Sequence, residues 1–95
     1  MKAELLMRER LILSSRALVE IVIWKLPQPL PDSRHDFKYG LAYVANKRCV
    51  LRFDNEAGKG DHKHLDEIEA PYIFSNLDTL QADFWTAVNK RRKRK

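Results

Sequence analysis

A chain of 95 residues, 44% apolar and 33% charged, is long enough for one hydrophobic core and too short for two, and its composition is that of a folded domain. The formal charge of +5 is unevenly placed: Lys90, Arg91, Arg92, Lys93, Arg94 and Lys95 form a wholly basic end, so residues 1–89 carry 12 basic against 13 acidic side chains, a net of −1. The single Cys49 excludes an intrachain disulfide, no apolar run approaches the roughly 20 residues of a membrane span, and Arg8-Glu9-Arg10 breaks the opening apolar run where a secretory leader would continue.

These features make a reducing cytoplasm the expected compartment. Residues 1–89 are expected to form one domain, followed by a basic tail over 90–95.

Residues 3–13 alternate, with Leu5, Met7, Leu11 and Leu13 on one face and Arg8 and Arg10 on the other, the period of a half-buried strand. After a turn at Ser14-Ser15-Arg16, Ala17–Trp24 is rich in β-branched residues and predicts the second strand of a hairpin. Except for Glu20 this strand is apolar on both faces, so one face is expected to meet the core and the other a helix or a partner. Pro27, Pro29 and Pro31 cannot pair within a sheet and predict a loop that runs through His35 to Asp36.

Alternation resumes over Phe37–Asn46, and Asn46-Lys47 predicts a tight turn into Arg48–Asp54, where Cys49, Leu51 and Phe53 share a core face. Residues 55–70 read as a long connection, Pro71–Phe74 as a short last strand, and Ser75 with Asp78 as a capping box. Leu77, Leu80, Phe84 and Val88 then recur at helical spacing. The resulting fold class is α+β, an antiparallel sheet of four to five strands with one C-terminal helix packed on a face. One helix does not cover that many strands, so a second copy of the chain or another protein is expected on the remaining face.

The chemistry concentrates in Asp54-Asn55-Glu56-Ala57-Gly58-Lys59-Gly60-Asp61-His62-Lys63-His64, which holds two of the three glycines and two of the three histidines of the chain. In extended backbone His62 and His64 project to one side. As acid and base they suit metal-independent RNA cleavage, deprotonating a ribose 2′-OH and protonating the leaving 5′-oxygen, with Lys59 and the backbone of the glycine turn steadying the phosphate. Glu56 and Asp61 then orient the imidazoles, and Asp54, Asn55, Gly58 and Gly60 shape the loop. This reading requires no cofactor and no metal.

Two alternatives stay open at this point. The pair could ligate a metal with His35, Asp54 or Glu56 as a third group, or serve only as local caps in a solvated loop. Gly58-Lys59-Gly60 lacks the remainder of the P-loop pattern, which excludes P-loop nucleotide hydrolysis. The tail Lys90–Lys95 suits contact with nucleic-acid phosphates without reading sequence, and a non-enzymatic module acting through that tail and an exposed sheet face is the alternative to an enzyme.

The stretch Asp54-Asn55-Glu56-x-Gly-Lys-Gly-Asp-His-x-His resembles the signature of the TumE family, toxin components of bacterial toxin–antitoxin pairs. The hairpin Glu4–Pro27, the strand His35–Val44 and the helix Leu77–Val88 resemble it too, so the likeness spans most of the chain. It implies a cognate helix-turn-helix antitoxin as partner. Ribonuclease activity, with RNA as substrate, enters by analogy with other small α+β toxins.

Overall fold

The computed structural model describes residues 2–31, 33–56, 58 and 60–93. Six strands are followed by one helix: β1 (Glu4–Ser14), β2 (Ala17–Lys25), β3 (Phe37–Ala45), β4 (Arg48–Glu56), β5 (Gly60–Leu65), β6 (Ile68–Pro71) and α1 (Leu77–Lys93). The strands form one antiparallel sheet in the order β1-β2-β3-β4-β5-β6, so each pairs with its predecessor. The α+β class is as expected, but the strand count is six.

The two additional strands lie where a long connection was expected. Glu56 pairs with Gly60 across a tight turn in which Gly58 and Gly60 take φ of 81° and 73°. Leu65 pairs with Ile68 across Asp66-Glu67, where Asp66 takes φ of 58°. Gly, Asp, Lys and Glu disfavour strands taken alone, and pairing with β4 overrides that preference. The last strand accordingly ends at Pro71 and does not run to Phe74, and a proline is tolerated there because β6 is an edge.

The two faces of the sheet differ sharply. Val19, Ile21 and Ile23 of β2, Tyr39, Leu41 and Tyr43 of β3, and Leu51 and Phe53 of β4 are buried against Leu80, Phe84 and Val88 of α1. The Phe53 and Phe84 rings meet edge-on at 5.8 Å between centroids. Helix α1 starts one residue later than the expected capping box. Asn76 Oδ1, not the Ser75 hydroxyl, accepts the Thr79 N–H at 2.8 Å, and Asp78 lies in the first turn where the helix dipole favours an anion. At the other end Arg91 donates to Asp66 at 3.2 Å and ties the helix to the β5–β6 turn.

Two bulges redirect side chains from the faces that simple alternation gives. Between Leu5 and Met7 the register slips by one residue, so Leu5 lies opposite Trp24 and leaves the face that Met7 shares with Ile23. Between Leu51 and Cys49 the extra residue Val50 does the same, and Cys49 lies opposite Val44. Cys49 is therefore exposed and not a core residue.

Candidate functional site on the open face of the sheet

Two adjacent rows of side chains cross the face that α1 does not cover. The register links Arg8, Val22, Gly40, Asp54, His62 and Pro71 in one row, and Arg10, Glu20, Ala42, Arg52, His64 and Glu69 in the next. Gly40 and Ala42 give the middle of this face a low floor. On one side stand the arginines of β1, on the other a compact cluster of Arg52, Asp54, His62, His64 and Glu69.

Within that cluster Asp54 and His62 are 6% and 5% exposed, far more buried than ionisable residues on an uncovered sheet face usually are. His62 Nε2 lies 2.7 Å from Asp54 Oδ1, while His62 Nδ1 faces the Gly60 carbonyl at 3.2 Å. Arg52 Nε donates to Asp54 Oδ2 at 2.7 Å. The 2.7 Å approach of Nε2 to Oδ1 is an ion-pair distance without hydrogen-bond direction, and among the described residues the buried Oδ1 accepts no directed bond.

The His64 ring stands nearly perpendicular to that of His62, with centroids 5.2 Å apart, and its side chain keeps 38% exposure. Glu69 Oε2 sits 3.7 Å from His62 Nε2 and 3.6 Å from His64 Nε2, so both Nε2 atoms lie close to one carboxylate oxygen. A shallow cleft beside them is lined in part by Arg52, Asp54, Glu56 and His64.

The other expected site residues are placed differently. Asp61 lies on the opposite face from His62 and His64. Its carboxylate accepts from Tyr39 Oη at 2.9 Å and meets His35 Nε2 at 2.8 and 3.1 Å. The Phe37 N–H donates to His35 Nδ1 at 3.2 Å, so both ring nitrogens of His35 are engaged, and the ring packs 4.0 Å from Phe74 between centroids. This arrangement pins the proline loop to the sheet. Tyr39 is held neutral well above the usual phenol range, first by burial and then by its bond to Asp61.

Asn55 belongs to β4 and not to a loop. It is 1% exposed, and its amide completes the β3–β4 ladder by accepting from the Tyr39 N–H at 3.0 Å and donating to the Phe37 carbonyl at 2.7 Å. Lys59, Arg94 and Lys95 lie outside the described residues. Lys90, Arg92 and Lys93 are exposed on the last turn of α1, whose packing puts them behind the sheet from the histidine pair.

Arg52 and Glu69 were not anticipated from the sequence. Arg52-x-Asp54 in a strand places both residues on one face. Glu69 follows once Asp66-Glu67 is read as a two-residue hairpin turn.

A small antiparallel meander with one covering helix and a carboxylate–imidazole cluster on its bare face is thus the class of protein in hand. Comparison with protein families matches residues 2–92 to the family described as Toxin TumE, and the chain belongs to that family. The membership makes it a toxin of a toxin–antitoxin pair and implies an antitoxin as partner. No curated protein and no solved structure matches the chain. Among the described residues no helix is long and apolar enough to cross a membrane.

Proposed function

We propose that this toxin acts in the cytoplasm by cleaving RNA on the open face of its sheet. His64, the more accessible imidazole, takes the proton of a ribose 2′-OH. His62, held in orientation by Asp54 and by the Gly60 carbonyl, protonates the leaving 5′-oxygen. The observation that carries this reading is the closeness of both Nε2 atoms to one exposed carboxylate oxygen of Glu69, whose place a phosphodiester would take.

Arg52 borders that volume, and Arg8 and Arg10 stand across the Gly40–Ala42 floor as phosphate contacts for the flanking strand. Because the basic end of α1 lies behind the sheet, these arginines serve the scissile region better than Lys90–Lys93 do. Family membership further supports a small helix-turn-helix protein as the antitoxin that suppresses the activity.

Induced expression is expected to arrest growth, and His62→Ala and His64→Ala each to relieve the arrest. The purified variants should cleave a single-stranded RNA roughly 100-fold more slowly or worse, with unchanged circular dichroism. A 2′-deoxy substitution at the cleaved nucleotide should block the wild type. Undiminished cleavage by both variants overturns the assignment.

A further inference from the structure

We infer that Asp54 Oδ1, His62 Nε2 and His64 form a binding site for one divalent transition-metal ion of the zinc class. This goes beyond the cleavage reading and rests on separate observations. One ligand atom from each of the three side chains falls within a sphere where all lie no more than 4.8 Å apart. Two imidazole nitrogens and one carboxylate oxygen are a donor set that suits zinc and its neighbours, and that magnesium and calcium do not seek.

The unpartnered oxygen points the same way. Asp54 is 6% exposed, yet among the described residues its Oδ1 accepts no hydrogen bond. The Gly60 carbonyl can only accept, so Nδ1 of His62 carries a proton towards it and Nε2 is the nitrogen that stands 2.7 Å from Oδ1. A carboxylate oxygen and an imidazole nitrogen held that close in a buried place are set to share one cation, a proton in the cleavage reading and a metal ion in this one.

The outer contacts are those of a supported metal site as well. A backbone carbonyl orients one imidazole from its far nitrogen, and Arg52 holds the far oxygen of the carboxylate at 2.7 Å. Glu69, half exposed and within 3.7 Å of the His62 Nε2 atom, is the nearest group able to complete the shell, or to leave that position to solvent.

Occupancy has a consequence for the proposed cleavage. A bound ion takes the nitrogen on which His62 would carry its proton and the lone pair with which His64 would accept one, so zinc silences the site.

The test is calorimetric titration of zinc chloride into the untagged full-length chain after chelator treatment. One ion per chain is expected for the wild type and for His35→Gln, whose imidazole belongs to the other face. Roughly 100-fold weaker binding or none is expected for Asp54→Asn and for His64→Gln. His64 is partly exposed, so that variant remains informative if the buried Asp54→Asn fails to fold. Wild-type binding no tighter than that of His64→Gln overturns the site, whatever the RNA assay gives.

Cleavage of a single-stranded RNA by the wild type is expected to fall as the site fills. A rate that rises with zinc overturns the silencing. Saturable binding in a protein that cuts no RNA leaves the metal site standing and removes the cleavage reading instead.

Discussion

At the scale of single residues, position on one face or the other decides which polar groups serve chemistry and which serve the fold. Asp61 and His35 look like site residues in the sequence, yet they close a partly buried network with Tyr39 that anchors a loop. Tyr72 is bound in the same manner, donating to Asp83 at 2.6 Å, and burial followed by that bond pushes its phenol up. Both phenols stay neutral in the folded chain, whereas in the unfolded chain they ionise near the ordinary value of 10.0. Above that pH the unfolded state holds fewer protons than the folded one, so the contribution of these two phenols to stability is level below about pH 10 and is lost beyond it. Absorbance of phenolate should therefore rise for these two tyrosines together with the loss of near-ultraviolet circular dichroism. Ionisation of both in a chain still folded would contradict this.

At the scale of elements, the hairpin β1–β2, the strands β3 and β4 and the helix were legible because their apolar residues repeat at two or at three and four. The pair β5–β6 was not. Its residues alternate between two polar sets, His62 and His64 on one side and Asp61 and Lys63 on the other, so hydropathy carries no period to read. The histidine pair is legible from residue types alone, whereas Asp54 reads both as a loop-shaping residue and as one of three possible third ligands, because the apolar alternation stops there and gives no register to β5. The Val50 bulge was equally hidden, since it inserts one residue into a clean alternation. It yields a direct check: Cys49 should react with a thiol reagent in the native protein at a rate near that of a free thiol, without denaturant. Protection until unfolding would place it back in the core. The long edge strand β1 carries Arg8, Glu9 and Arg10 at its centre, charges that discourage a second sheet from adding there.

At the scale of the molecule, one layer of apolar side chains between sheet and helix holds flat the surface on which the cluster is built. Phe84 is fully buried at the centre of that layer. Phe84→Ala is expected to cost about 3–5 kcal/mol, read as a lower denaturant midpoint with unchanged slope. A loss under 1 kcal/mol would mean that the helix is not the element that seals the core.

The order of strands gives this architecture a further property. Each strand pairs with the one just before it, so the sheet can assemble in sequence as the chain leaves the ribosome, and every residue of the Asp54–His64 cluster is made before the helix. Until Leu80 and Phe84 emerge, however, the apolar face is bare, and such an intermediate is material for chaperones and proteases. The residues of the cluster are thus in place before the helix that gives their sheet its packed support.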